Sequence, residues 1–143
     1  MAAEVRERCV SVCELASQME QIRARATQAF QKRLQERLRE LLRGAGLEPQ
    51  RLAQEAALLA ERSDISEELV RLKTHAGQLQ KLLDSSGESG KRLDFLLQEM
   101  NREANTILSK TGGLGDLGLT ITDLALAAKA EIDKMREQSL NLE

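Results

Sequence analysis

The stretch Ile65-Ser66-Glu67-Glu68-Leu69-Val70-Arg71-Leu72-Lys73-Thr74-His75-Ala76-Gly77-Gln78-Leu79-Gln80-Lys81-Leu82-Leu83 decides the fold. Its apolar residues recur at Ile65, Leu69, Leu72, Ala76, Leu79 and Leu83, in alternating steps of four and three. A strand would alternate every second residue, whereas steps of three and four put one stripe along a helix. A seam this regular predicts a helix packed in a coiled-coil-like hairpin or bundle. Just before it, Asp64 is placed to cap, with Glu67 three residues on.

The same periodicity extends upstream. Val5, Cys9, Val12, Ala16, Met19, Ile22, Ala26, Phe30, Leu34, Leu38 and Leu41 follow helical spacing. They predict one helix from about residue 3 to residue 43, roughly 60 Å long at 1.5 Å per residue. A helix of that length either breaks once or packs against a partner. Gly44-Ala45-Gly46 closes it with a left-handed residue. Pro49 then opens a second helix, where its missing N–H costs nothing. That helix runs to about Arg62, and spacing leaves open whether it breaks at Ser63–Glu67 or continues. Downstream, Asp84-Ser85-Ser86-Gly87-Glu88-Ser89-Gly90 reads as a loop. A helix follows over Lys91–Lys110. Thr111-Gly112-Gly113-Leu114-Gly115-Asp116-Leu117-Gly118 reads as a flexible connection, since no strand precedes it and no Gly-Lys-Ser/Thr ends it. The last helix is expected over about Thr120–Leu140. The chain thus divides into a long helical segment, 1–47, and a helical domain, 48–143.

Composition agrees with an all-α fold of long amphipathic helices. Of 143 residues, 41% are hydrophobic, with no Trp or Tyr, two Phe and one Pro. The apolar content is Leu and Ala, which favour helix, and not the β-branched and aromatic residues that favour strands. The net charge of −2 does not mark the whole chain as a nucleic-acid binder. Locally, however, Arg23, Arg25, Lys32, Arg33, Arg37, Arg39 and Arg43 face only Glu36 and Glu40. That excess can attract phosphate, or it can be a solvated helix face with pairs such as Lys32 and Glu36. Cys9 and Cys13, four apart, share a helix face and read as small apolar residues; a disulfide is geometrically unfavourable, and no further Cys or His completes a metal site. Free thiols and the lack of a signal-like start or an 18-residue apolar run lead to the expectation of a cytoplasmic protein without a membrane span.

The chemistry-bearing segment is Lys91-Arg92-Leu93-Asp94-Phe95-Leu96-Leu97-Gln98-Glu99-Met100-Asn101-Arg102-Glu103-Ala104-Asn105-Thr106. Two Asn lie in mid-helix, where Asn carries a penalty. Glu99 and Glu103 share a face, with Arg102, Thr106 and Lys110 close by; Asp94, Gln98, Asn101 and Asn105 form a neighbouring stripe. Carboxylates so spaced can hold a divalent cation able to activate water, or they can serve a polar network between helices. His75, the one histidine, flanks the heptad seam and has an ordinary pKa suited to general base work. With one histidine, cleavage by a two-histidine mechanism within one chain is excluded. Stacking aromatics are almost absent, so any RNA contact is to the backbone.

Three stretches carry a family resemblance: Arg51 to Leu72 with His75, Gly90 to Thr106 with Ser109-Lys110, and the tail at Lys129-Ala130-Glu131-Ile132 and Met135 to Glu143. This combination resembles the C-terminal region of the bacterial YicC-like (YicC/YloC) endoribonucleases, well over residues 48–143 and loosely over the first helix. The resemblance implies RNA as substrate, Mn²⁺ or Mg²⁺ as helper, and homo-oligomers, hexamers in the full-length family. It carries over Glu67, Glu68, Arg71, His75, Arg92, Asp94, Gln98, Glu99, Asn101, Arg102, Glu103, Asn105, Ser109 and Lys110. Combined with the polar density of the segment, it leads to three groups of expected site residues. Glu99, Glu103 and His75 are catalytic. Arg92, Arg102, Asn101, Asn105 and Lys110 bind RNA. Asp94, Glu99, Glu103 and Glu68 hold the metal. Family proteins carry a further N-terminal domain that this sequence does not contain, so it is expected to be a fragment, a split-gene product or a truncated form. The glycines at 112–118 also depart from the family pattern. Two alternatives stand beside this reading: a non-catalytic oligomerisation or RNA-positioning module whose chemistry lies in the absent domain, and a helical adaptor unrelated to RNA.

Overall fold

The computed structural model describes residues 2–44, 46, 48–84, 90–111 and 115–141, and among them every regular element is a helix. The five are α1 (Ala2–Leu41), α2 (Pro49–Arg62), α3 (Ser66–Asp84), α4 (Gly90–Lys110) and α5 (Gly115–Asn141). The all-α expectation holds.

Four antiparallel neighbours close a bundle. The first half of α1 runs antiparallel to α3, with Arg6 paired to Asp84, Cys9 Sγ donating to the Ala76 carbonyl at 3.2 Å, and Arg23 facing Asp64 at 3.7 Å. α4 returns against α3, and α5 against α4, where Thr111 and Thr122 hydroxyls meet at 3.0 Å. α5 then packs along α1, with Arg8 Nη1 donating to Glu131 Oε2 at 3.1 Å. One core unites them. It takes Val5, Cys9, Val12, Ala16 and Met19 from α1, and Leu69, Leu72, Ala76 and Leu79 from α3. α4 adds Leu97, Met100 and Ile107, and α5 adds Ile121, Ile132 and Met135. The heptad seam is thus the core face of α3, with Ile65 to Leu79 buried and Leu83 at its edge.

α1 does not break. Its second half leaves the bundle and packs on α2, so the partner its length called for comes from within the chain. Leu38 and Leu42 face Leu52 and Leu59 across a groove of about 330 Å³. Gly44, at φ +88°, closes the helix in the left-handed region as expected.

Three boundaries are settled. The chain does break between α2 and α3: Ser63 caps α2 through the carbonyls of Ala60 and Glu61. Asp64 Oδ1 accepts from the Ser66 N–H at 3.2 Å at the start of α3. Glu67 turns instead to Arg71, at 3.5 Å, and no capping box forms. The expected connection 111–118 is shorter than its glycines suggested. α5 already begins at Gly115, and Gly118 is buried within it. Glycine inside a helix costs about 1 kcal/mol against Ala, and burial of the apolar face from Ile121 onward offsets it. The expected loop at 84–90 lies mostly outside the described residues, as do Gly112 and Gly113.

Candidate functional site

α4 carries two polar faces, and the bundle sends them to different neighbours. At about 100° per residue, Arg92, Glu99, Glu103 and Lys110 fall along one line, which faces α3. Asp94, Asn101 and Asn105 fall on another, which faces α5.

The α3 side holds the densest charge network in the described residues. Glu68 and Glu103 are 3% and 5% exposed, the two most buried carboxylates among the described residues. Arg71 joins them: its Nε donates to Glu103 Oε1 at 3.0 Å and its Nη2 lies 3.6 Å from Glu68 Oε1. Lys110 Nζ donates to Glu68 Oε1 at 2.6 Å and to the Asp64 carbonyl at 3.3 Å. The hydrogen bond that Arg71 donates to Glu103 pushes its guanidinium above its ordinary value. Glu68 Oε2 is buried with no hydrogen-bond partner among the described residues. A buried ionised carboxylate left short of partners is costly, so the network is held under demand for one more donor.

The register set by Arg71–Glu103 and Glu68–Lys110 places His75 at the level of Glu99. Both are half-buried, and His75 Nδ1 is buried without a hydrogen-bond partner among the described residues. Glu99 forms no hydrogen bond or ion pair there. Further along the same groove, Gln78, Lys81, Leu82, Arg92 and Leu96 line a pocket of about 260 Å³. The α3–α4 groove is thus a polar seam between the two helices, open as that pocket at Lys81 and Arg92 and continuing past His75 and Glu99 to the packed network of Arg71, Glu103, Glu68 and Lys110.

The α5 side is different in kind. Lys129 Nζ donates to Asn105 Oδ1 at 2.6 Å, Gln98 Nε2 donates to Asp94 Oδ2 at 2.9 Å, and Asn101 Oδ1 is buried without a partner among the described residues. Arg102 is exposed. Of the expected site residues, then, Glu68, His75, Arg92, Glu99, Glu103 and Lys110 share the α3–α4 groove. Asp94, Asn101 and Asn105 lie around the helix, and Asp94 is about 140° from Glu99 at 100° per residue.

The expected metal set fits poorly within one chain. Mn²⁺ and Mg²⁺ take several oxygen ligands in near-octahedral array. Glu68 and Glu103 already receive Lys110 and Arg71, Asp94 points elsewhere, and no group of three His, Cys, Asp or Glu able to hold a metal ion exists among the described residues. No chemical step is routed through a metal here.

Arg71 was named among the carried-over positions but given no role, and it proves to be the hub. Its spacing of three and four from Glu68 and Glu67 was visible; its partner Glu103, 32 residues on, was not. Lys81 and Lys129 were not singled out. Both lie on helices whose facing partner only the tertiary register reveals.

No helix of the described residues is long and apolar enough to cross a membrane. A family model described as "Endoribonuclease YicC-like, C-terminal" matches residues 17–143. The chain is 37% identical over 144 residues to the "Probable endoribonuclease YicC" of Clostridioides difficile, covering 100% of the chain and 47% of that protein. It is 45% identical over 97 residues to the "Probable endoribonuclease YicC" of Haemophilus influenzae, covering 68% of the chain and 32% of that protein. The chain spans about half the length of the first relative and about a third is matched in the second.

Proposed function

The chain belongs to the YicC-like endoribonuclease family, and from that premise we propose that it is the helical part of an endoribonuclease whose RNA-cleaving centre lies in the α3–α4 groove. The observation that carries this reading is the buried Glu68–Arg71–Glu103–Lys110 network standing beside His75 and Glu99. A hydrolase needs a proton acceptor, a proton donor and cations near the scissile phosphate. His75, half-buried on the α4-facing side of α3 with Nδ1 unpartnered among the described residues, supplies the acceptor. Glu99, facing it without an ion-pair partner, is the group free to exchange a proton or orient a nucleophile. Arg92 and Lys81 at one end, and the outer N–H groups of Arg71 at the other, neutralise phosphate charge. Glu68 and Glu103 are positioning residues that fix Arg71 and Lys110.

Metal support and oligomeric assembly belong to the same proposal for the whole protein. Since one chain gathers too few ligands, a required divalent ion would draw them from beyond this groove, a second copy included. The test is cleavage of a labelled, partly structured RNA with Mn²⁺ and with chelator, by the chain and by a full-length relative. The Glu99→Gln/Glu103→Gln double variant is run alongside. Loss of cleavage in the variant, with helicity intact by circular dichroism, supports the groove. Undiminished cleavage by the full-length variant sinks it.

A second reading has its own observation. Glu68 and Glu103, the buried carboxylates among the described residues, each already have a cation, as they would in a non-catalytic positioning module. In that case His75→Gln leaves turnover of the full-length relative unchanged.

A further inference from the structure

The second half of α1 is the most cationic part of the molecule, and among the described residues only Arg23 of its cations is paired within the fold, with Asp64. From Arg23 to Arg62 the chain holds nine basic against five acidic residues, while the remainder holds twelve against eighteen. Charge is therefore segregated: positive on the α1–α2 hairpin, negative on the bundle.

Arg25, Lys32 and Arg39 repeat every seven residues, which puts them on one line along α1 about 21 Å long at 1.5 Å per residue. Arg33 and Arg37 lie about 100° and 140° round the helix from that line at 100° per residue, and Arg43 lies past the helix end. All six are exposed, and none forms an ion pair among the described residues. Glu36 lies on the same line and Glu40 beside it, yet the Lys32–Glu36 pair that the spacing allows does not form. α2 packs about 100° round the helix from the line, against Leu38 and Leu42, and the basic line stays exposed. Phe30 is half-buried against the core, leaving no aromatic on this face to stack a base.

We infer that this basic face of α1 is a contact surface for the RNA sugar-phosphate backbone, distinct from the α3–α4 groove and serving to hold the substrate beside it. The inference rests on the RNA reading of the preceding section. Guanidinium groups predominate among the six, and their planar fork matches phosphate oxygens. With cations and no stacking group, the surface reads charge and not sequence. An acidic protein is the competing occupant, and the test separates the two.

Binding of a fluorescently labelled, partly structured RNA to the full chain is measured by anisotropy from 50 to 200 mM salt, in chelator. The Arg25→Gln/Lys32→Gln/Arg39→Gln/Arg43→Gln variant alters exposed positions alone, and unchanged circular dichroism confirms its fold. Each phosphate contact contributes about 0.7 to 0.9 to the slope of log affinity against log salt. The variant is expected to lower that slope by about 3 and to weaken binding at least tenfold at 100 mM salt. Unchanged slope and affinity overturn the inference and leave the groove reading standing. No RNA binding by the unaltered chain at 50 mM salt overturns the inference together with the RNA reading of this chain. Displacement of RNA by poly-glutamate as readily as by unlabelled RNA of equal charge assigns the face to acidic partners and also overturns it.

Discussion

Lys110 shows how much of the groove depends on single side chains. Its ammonium is the closest cation to Glu68, donating to Oε1, while Glu68 Oε2 has no hydrogen-bond partner among the described residues. Removing one partner of a buried pair leaves an uncompensated charge and costs about 3–5 kcal/mol when burial is complete. Lys110 is partly exposed, so Lys110→Ala is expected to destabilise by about 2–3 kcal/mol in urea unfolding, at or just below the lower end of that range. Glu67→Gln, at an exposed end of the same network, should stay within about 0.5 kcal/mol. Equal, small effects of both would mean that Glu68 finds another donor. Cys9 offers a second check at this scale. Burial pushes its thiol up from 9.0 to about 12, and its S–H donates to Ala76. A folded pKa above the unfolded one stabilises the fold below pH 9, and that contribution is lost as pH rises through 9 toward 12. Cys13 is half-buried, and burial raises its thiol as well. At pH 8, alkylation should reach Cys13 first and Cys9 only at the rate of unfolding. Equal labelling of the two in the native protein would contradict the packing of α1 on α3.

At the scale of elements, α3 was legible because its signal is local. Ile65, Leu69, Leu72, Ala76 and Leu79 announce a buried stripe, and that stripe is the core face. The neighbour Val70, off the stripe, is 61% exposed. Leu72→Ala is accordingly expected to cost about 2–5 kcal/mol, and Val70→Ala under about 0.5 kcal/mol, by the same denaturation measurement. A reversed order would mean α3 is turned about its axis. α4 was half legible. Its spacing separated the Glu99–Glu103 line from the Asp94–Asn101–Asn105 line, but nothing local tells which line meets α3 and which meets α5. Arg71 illustrates the limit: its spacing from Glu67 and Glu68 is local, while its closest contact, Glu103, lies across the groove. The glycines at 115 and 118 misled for the opposite reason. Their local cost argued for a loop, and tertiary burial of α5 outweighed it.

At the scale of the molecule, the structure joins a four-helix bundle of negative charge to a helical hairpin of positive charge. The long α1 belongs to both, which is why its length resisted interpretation: no periodicity records where one set of neighbours replaces another. The bundle positions the α3–α4 groove, and the family to which the chain belongs supplies RNA as the substrate to be tried there. The central claim is that the α3-facing line of α4, and not the α5-facing line, serves cleavage. Single-turnover cleavage of labelled RNA by a full-length relative tests it most directly, with substitutions at the positions matching Glu99→Gln and Asp94→Asn and assembly and folding verified for both. The account predicts at least a hundredfold loss for Glu99→Gln, the order expected for removal of a general acid or base, and near-normal cleavage for Asp94→Asn. Full activity of Glu99→Gln, or a comparable loss in Asp94→Asn, would contradict it.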